Sequence, residues 1–299
     1  MIEFLPNHAI NKSLWDQRIS TAQNPRVYAL SRYLDAVFPE WWALLSNDYQ
    51  EIMPVFPKKK FGLNYLHQPM YVQQSGIFFQ QKSEFFRSEE FIKAIPEKYK
   101  YIDVHLNFRN LPPKGIKLYK EKKINQLLRL DRGYEELYGK FSESHRKNIR
   151  RSKKYRLFMK ELTEYDLFFD FKQQFPGEYR ESLSVLKKIC QNLDYQNIKV
   201  FSVLDENQNT HAVALFIYWN NTLTWLSSGV SHEARENKAL FFLVDKLIDQ
   251  YAGSKMILDF AGSSLPGVWY FNNGFGAADE IYYHITLNRL PLIIKRLKK

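Results

Sequence analysis

The second half of the chain contains, at residues 199–230, the sequence KVFSVLDENQNTHAVALFIYWNNTLTWLSSGV. Two turn signals, residues 205–209 and the pair Asn220-Asn221, divide this stretch into three apolar runs. This spacing predicts an antiparallel β-meander. A helical pattern at 239–251 and a short apolar run at 255–260 follow it. A strand that re-enters a sheet after a helix predicts a mixed sheet with a crossover connection.

The first half shows the same order of patterns. Strand-like runs at 42–45, 51–55 and 63–66 precede a closing strand-like run at 75–79, which begins with Ser75-Gly76-Ile77 and parallels Ser228-Gly229-Val230. A helical pattern and an apolar run at 101–106 follow. We therefore expect residues 48–106 and 205–260 to form the same sheet-helix-strand unit. The alternative is a chance similarity between two ordinary α/β segments.

The predicted fold class is α/β with mixed sheets in two domains, residues 1–140 and 141–299. No Gly/Ser/Pro-rich linker separates the halves, so we expect them to pack together. Residues 285–299 are a candidate to return to the first domain.

The amino-acid composition limits the kinds of site and of protein that the chain can form. Cys190 is the only cysteine, which excludes an internal disulfide, and no histidine pair has metal-ligand spacing, so we expect no metal site. The chain has no apolar run of about 18 residues, and its first residues do not form a signal-peptide pattern, which predicts a cytoplasmic protein. The net charge of +11 fits either an anionic partner or a solvated basic surface.

Six cationic residues lie within residues 146–154. At helical spacing, Arg146, Arg150 and Lys153 share one face, where they could bind a phosphate-bearing ligand together. A solvated helix without a ligand explains the same pattern.

Three passages carry a family resemblance. Residues 146–154 match the pattern Arg-x-x-Ile-Arg-x-x-x-Lys, residues 258–263 read LDFAGS ahead of FNNGFGA at 271–277, and residues 68–76 read QPMYVQQSG. Together they resemble the FemAB-type aminoacyltransferases of the GNAT superfamily, over about residues 15–290. The resemblance implies two tandem GNAT-like domains and amide formation by direct attack of an amine on a bound thioester or ester. FemAB members use aminoacyl-tRNA and a peptidoglycan precursor, whereas ordinary GNAT members use acyl-CoA.

The candidate catalytic residues are Asp259, which ends an apolar strand, and Ser263 or Ser264 in the following turn. Asp259 could orient or deprotonate the attacking amine, and a serine could donate a hydrogen bond to the acyl oxygen. The alternative is that Asp259 accepts backbone N–H bonds and stabilises the turn. Trp269 and Tyr270, which we expect in a loop, are candidates for the wall of the acceptor pocket.

The segment 235–239 occupies the place of the phosphate-binding loop that the resemblance implies. Arg235 and Ala239 fit that loop, but Lys238 stands where a glycine lets a phosphate approach the backbone. We therefore expect no tightly bound cofactor and weak binding of free CoA, with Arg235 and Lys238 as phosphate contacts. The acyl donor stays open between aminoacyl-tRNA and acyl-CoA.

The function predicted from the sequence is an N-acyltransferase or aminoacyltransferase that acts on an amine, with a cell-envelope precursor as a candidate acceptor and tRNA as a candidate partner. The alternative is a catalytically silent protein that keeps the fold and binds RNA or an envelope precursor.

Overall fold

The computed structural model describes residues 2–46, 48–80, 88–175, 182–262 and 265–290. Its strands are β1 Ile2–Pro6, β2 Trp42–Ser46, β3 Glu51–Val55, β4 Pro57–Lys60, β5 Leu63–Leu66, β6 Phe78–Phe79, β7 Tyr99–His105, β8 Tyr119–Arg129, β9 Phe158–Leu162, β10 Ile198–Leu204, β11 Thr210–Trp219, β12 Thr222–Val230, β13 Ile257–Asp259 and β14 Ala278–Asn288. Its helices are α1 Lys12–Thr21, α2 Ser31–Val37, α3 Ser88–Ala94, α4 Tyr134–Gly139, α5 Glu143–Ser152, α6 Asp166–Gln174, α7 Leu183–Asn192, α8 Ala234–Asn237, α9 Ala239–Tyr251 and α10 Pro266–Asn273.

The chain divides into two compact units. Unit 2 is the continuous segment Ile124–Glu280, and unit 1 contains the residues up to Lys123 together with those from Ile281 onward. The sequence-based division at 140/141 placed residues 124–140 in the first domain. These residues group with unit 2 because the end of β8 pairs with β13 and α4 contacts α9.

Unit 2 contains a mixed sheet in the order β8-β13-β12-β11-β10-β9. The strands from β9 to β12 are antiparallel neighbours, and β13 runs parallel to β12. Residues 212–217 of the central strand β11 are all buried, as in a strand covered on both faces. Helices α5 and α9 pack together over a core with Phe201, Ala214 and Phe216, while α6 contacts β11 and β12.

Unit 1 contains two sheets. One has the antiparallel order β1-β2-β3-β6. In the other, β4 is antiparallel to β5, β5 is parallel to β7, and β7 is antiparallel to β14. Phe91 and Ile92 of α3 join Leu66, Ile102 and Ile285 in the core of this unit.

The predicted crossover is confirmed in both units. A hairpin, a helix and a strand parallel to the second hairpin strand occur as β4-β5-α3-β7 in unit 1 and as β11-β12-α9-β13 in unit 2. The segments 48–106 and 205–260 therefore share this connection.

The predicted role of residues 75–79 in that repeat was wrong. Strand β5 ends at Leu66, and Phe78–Phe79 pair with β3 in the other sheet of unit 1. Pro69 has no N–H to donate, while Tyr71 and Gly76 adopt positive φ values of 67° and 71°. These residues turn the chain out of the sheet before β6.

No helix in the described part of the chain combines the length and the apolar character that a membrane span requires.

Candidate active site

The strands β12 and β13 of unit 2 separate shortly after they meet. They pair from Thr222 with Ile257 to Thr224 with Asp259, where β13 ends while β12 continues to Val230. The register with β11 also shifts between Trp225 and Ser227, so Leu226 is an extra, bulged residue that bends β12. We call this divergence the unit 2 fork.

The unit 2 fork opens into a cleft of about 390 Å³. Strand β12, the residues after β13, and helices α6, α9 and α10 form its walls. The lining residues are Lys172, Trp225, Leu226, Ser227, Ser228, Leu240, Phe260, Ala261, Gly267, Val268, Phe271 and Asn272. This is a mainly apolar cleft with a few polar groups, as is common for small-molecule sites.

Asp259 fixes the turn that forms one lip of the cleft. Its side chain is 1% exposed, and its Oδ1 accepts the Ala261 N–H at 2.9 Å and Asn125 Nδ2–H at 3.0 Å. The Gly262 N–H in turn donates to Asn125 Oδ1 at 3.2 Å. These are the contacts expected if Asp259 stabilises the turn. Ser263 and Ser264 lie outside the described residues.

Helix α10 forms the opposite wall of the cleft, and one prediction from the sequence about its residues was wrong. Trp269 and Tyr270, expected in a loop, lie on this helix. Trp269 Nε1–H donates to Asp279 Oδ1 at 3.1 Å, and Tyr270 is 61% exposed. Their neighbours Val268 and Phe271, three residues apart on one face, line the cleft instead.

His145 connects α5 to α10. Because the Phe271 carbonyl can only accept, Nε2–H of His145 donates to it at 2.8 Å, and Nδ1 accepts from Ser142 Oγ at 2.8 Å. Burial lowers the pKa of His145, which favours this neutral imidazole. A Cβ at Gly274 would lie 2.0–2.3 Å from the ring, so Gly274 makes room for the histidine.

Helix α5 carries the basic residues on its solvent side. His145, Ile149 and Ser152 are buried, whereas Arg150 and Lys153, the residue directly after the helix, are exposed. Within the described contacts, neither of these two cations forms an ion pair or a hydrogen bond. Arg146 is half-buried and donates to the Gly139 carbonyl at 3.2 Å. The predicted cationic face therefore exists, with Arg146 partly used within the chain.

Several backbone N–H groups of the loop before α9 donate hydrogen bonds within that loop. Glu236 and Asn237 donate N–H bonds to the Glu233 carbonyl, and the Ala239 N–H donates to Asn237 Oδ1 at 3.0 Å. Lys238 adopts φ 63° without being a glycine, and its Nζ donates to the Arg235 carbonyl at 2.6 Å. The left-handed turn is therefore present, but these amides are used within the chain.

The corresponding divergence in unit 1 is filled. Beyond the last pair, Leu66 with Ile102, the segment 68–76 bonds to His105 at the end of β7 through Gln68, Gln73 and Ser75. The His105 N–H donates to Gln68 Oε1 at 3.0 Å, and the His105 carbonyl accepts the Ser75 N–H at 3.0 Å. We call residues 68–76 the unit 1 plug. Within it, Gln74 and Ser75 are 0% and 1% exposed.

No protein-family model matches the chain, and no curated protein matches its sequence. Solved structures do match. FemX has a TM-score of 0.65 at 13% identity, over 94% of this chain and 96% of FemX. The chain has the FemAB-like tandem GNAT fold.

Two further structures share this FemAB-like GNAT fold. The C-terminal domain (DUF2156) of a putative lysylphosphatidylglycerol synthetase from Agrobacterium fabrum has a TM-score of 0.59 at 11% identity, over 93% of each chain. L-PGS from Bacillus licheniformis has a TM-score of 0.56 at 11% identity, over 96% of this chain and 95% of L-PGS. The fold predicted from the sequence motifs is confirmed, and at these identities the likeness concerns the fold alone.

Proposed function

We propose that the chain is a transferase that moves an acyl or aminoacyl group onto an amine. The observation that carries this proposal is the open unit 2 fork, a cleft of about 390 Å³ bounded by a fixed turn and by α10. The fold similarity to FemX and to lysylphosphatidylglycerol synthetase domains supports the same class of reaction. The acyl group would occupy the cleft, with its carbonyl carbon held where an amine can attack it.

The turn around Asp259 has a positioning role in this proposal. Asp259 is buried and already accepts from Ala261 and Asn125, so it would hold the lip of the cleft rather than touch the amine. Ser263 and Ser264 remain candidates for hydrogen bonding to the acyl oxygen or leaving group.

The transfer is tested by incubating the protein with acyl thioesters and aminoacyl-tRNA together with a panel of amines, and by detecting the amide by mass spectrometry. Gly267 lines the cleft, and a Cβ at this position would have nothing within 4 Å, so the backbone accepts a side chain there and the indole of Gly267→Trp should occupy part of the cleft. We expect it to lower transfer by about tenfold or more. Gly139→Trp is the matched control, since Gly139 also has free space but lies outside the cleft. Equal loss in both variants, or no amide from any pair, would contradict the proposal.

The donor carrier is proposed to be something other than plain CoA, because the amides of Glu236, Asn237 and Ala239 are already bonded within the loop. Calorimetric titration with CoA and acetyl-CoA tests this. We expect millimolar or undetectable binding, and micromolar affinity would contradict it.

An anionic carrier or acceptor is proposed to bind α5, on the evidence of its exposed cations. Arg150→Glu with Lys153→Glu should weaken the binding of tRNA, the probe for this surface, and the wild-type affinity should fall as salt rises. Lys255→Glu, at an exposed lysine of the same unit, is the control. Unchanged tRNA affinity in the double variant would contradict this proposal and support the alternative that α5 is a solvated helix without a ligand.

A further inference from the structure

The hairpin of β4 and β5 in unit 1 carries an exposed aromatic residue at its turn. Lys60 pairs with Leu63, so Phe61 and Gly62 form a two-residue turn, and their φ values are 50° and 76°. Positive φ at both central residues is typical of a type I′ turn, which favours Asn-Gly and is unfavourable for a bulky side chain. Phe61 is 92% exposed. The phenylalanine therefore stands in a strained conformation without packing against the core of the unit.

Three consecutive lysines precede this turn. Lys58, Lys59 and Lys60 are all exposed, and none of them forms an ion pair within the described contacts. Lys60 Nζ lies 5.3 Å from the centroid of the Phe61 ring. Lysines on an edge strand can also serve to prevent pairing with another chain. That explanation does not extend to Phe61, which adds apolar surface beside the same strand.

A cleft of about 800 Å³ adjoins the hairpin. Lys58 and Lys59 line it together with aromatic side chains, among them Phe38 and Trp42. Glu40 is the carboxylate among the described lining residues. The two lysines therefore border an open space in which the headgroup of an anionic lipid has room.

An apolar ring at a projecting turn, with cations directly behind it, matches the surface of an anionic bilayer. Aromatic side chains bury in the headgroup region of a bilayer, and lysines gain from its negative surface potential. A single-stranded nucleic acid also attracts aromatic and cationic side chains, but it stacks successive bases on several rings along a groove. Here a single ring stands at the turn, between Lys60 and Gly62. The hairpin is therefore better suited to a bilayer.

We propose that residues 57–66, the basic hairpin, dock unit 1 on the surface of an anionic phospholipid bilayer. Phe61 inserts into the headgroup region, and the three lysines contact lipid phosphates. The hairpin lies on the bilayer and does not cross it. This inference concerns unit 1 and does not depend on the proposed acyl transfer, which rests on the unit 2 fork.

The test is co-sedimentation with vesicles of equimolar phosphatidylcholine and phosphatidylglycerol, compared with vesicles of phosphatidylcholine alone. We expect the wild-type protein to bind the anionic vesicles about tenfold more tightly or better, and this binding should weaken as salt rises. Phe61→Asn should weaken it about fivefold or more, because the inserted ring is lost. Since asparagine suits the turn, the variant should melt at or above the wild-type temperature, which excludes unfolding as the cause.

Two variants serve as controls for Phe61→Asn. Phe61→Trp should bind at least as tightly as the wild type, because tryptophan is favoured at the membrane interface. Tyr119→Asn removes an aromatic side chain that is 60% exposed in the same unit but outside the hairpin, and it should leave vesicle binding unchanged.

The charges are tested by replacing all three lysines of the basic hairpin with glutamine. This triple variant should bind anionic vesicles about tenfold more weakly or worse. The matched control, Lys117→Gln with Lys120→Gln and Lys122→Gln, removes the same charge at exposed lysines of unit 1 and should change binding by less than about threefold.

The inference would be overturned if the wild type did not bind anionic vesicles, if Phe61→Asn bound them as tightly as the wild type, or if both triple variants lost equal affinity. A single-stranded RNA oligonucleotide is the competing probe. Binding of this oligonucleotide that depends on Phe61, without binding of vesicles, would overturn the inference in favour of a nucleic-acid partner.

Discussion

In unit 2 the strands β12 and β13 separate after Asp259 and leave a cleft of about 390 Å³, whereas in unit 1 the place where β5 and β7 separate is occupied by the unit 1 plug. The two units share the same hairpin, crossover helix and parallel strand. The difference arises from the segment that follows the hairpin. In unit 2 the chain continues along β12, while in unit 1 it turns back and bonds to both backbone groups of His105.

A shared connection therefore does not imply a shared role. In unit 1 the buried Gln74 and Ser75 would have to leave the fork before a ligand could enter it. In unit 2 the walls already enclose space. This difference supports our proposal that an acyl group binds in unit 2, and it indicates a structural role for the fork of unit 1.

The largest expected loss of stability comes from a substitution that disrupts the unit 1 plug. Gly76 has φ 71°, and a Cβ there would lie 2.2 Å from Asn110 Oδ1 and 2.6 Å from the Asn107 backbone nitrogen. Gly76→Ala should lower the free energy of unfolding by about 3 kcal/mol or more, because a backbone atom must move. Urea denaturation measures this.

Gly62→Ala is the matched control for the plug. Gly62 has a similar φ of 76° but nothing within 4 Å of its Cβ position. Gly62→Ala should lower the free energy of unfolding by about 1 kcal/mol, because it introduces backbone strain without a clash. Similar losses in the two variants would mean that the plug is not tightly packed.

The next effect concerns the wall of the open fork. Gly274→Ala would force His145 out of its contact with Phe271, and we expect a loss of about 2 to 3 kcal/mol in the free energy of unfolding. Because one clash causes the loss, adding His145→Ala should cost less than the sum of the two single changes. Gly267→Ala on the same helix has free space and should be neutral or slightly stabilising. Additive losses in the double variant would contradict this account.

A smaller expected effect is the pH dependence of stability, which has opposite signs for His284 in unit 1 and His145 in unit 2. His284 in unit 1 donates from Nε2 to Asp103 Oδ1 at 2.6 Å, and this contact raises the pKa of His284 above its ordinary value of 6.5. Its contribution to stability is present in full below 6.5 and is lost as the pH rises through the higher folded-state pKa. Burial lowers the pKa of His145 in unit 2, so its contribution is present at high pH and is lost as the pH falls below 6.5.

Urea denaturation at about pH 5.5 and pH 8 checks these signs. The stability difference between wild type and His284→Gln should be larger at the lower pH, and that between wild type and His145→Gln larger at the higher pH. Burial lowers the pKa values of His67 and His105 in unit 1. The charge of His284 lowers the pKa of His105 further, so His284→Gln also removes this effect on His105. Differences with the same sign would contradict the assignments.

The smallest effect lies at the start of α9. Lys238→Gly would relieve the positive φ of 63° and lose the bond from Nζ to the Arg235 carbonyl, two changes of opposite sign. We expect the free energy of unfolding to change by less than about 1 kcal/mol. A larger loss in urea denaturation would show that Lys238 holds this loop through contacts of its side chain.

The sequence predicted the crossover because alternation and turn residues are local signals. It also contained an unused signal for α10, since Pro266 begins that helix and Gly274 follows its end. Lys172 had no such signal, because a lone lysine in a helix sequence predicts an exposed residue. Its burial results from the close approach of α6 to Gly229, which only the tertiary structure determines. Similarly, β6 resembled a continuation of the meander, but its pairing with β3 depends on the turns at Tyr71 and Gly76.

The strand β14 also bears on how the protein acquires its structure during synthesis. Unit 2 is continuous, whereas β7 of unit 1 pairs with residues 284–288 of β14, across the whole of unit 2 in the chain. Non-local pairings of this kind have a high contact order and form slowly. On a ribosome, unit 2 can complete its sheet while β7 still presents an open edge, which is a site for aggregation until β14 emerges. The half that is encoded second is thus the first that can finish folding.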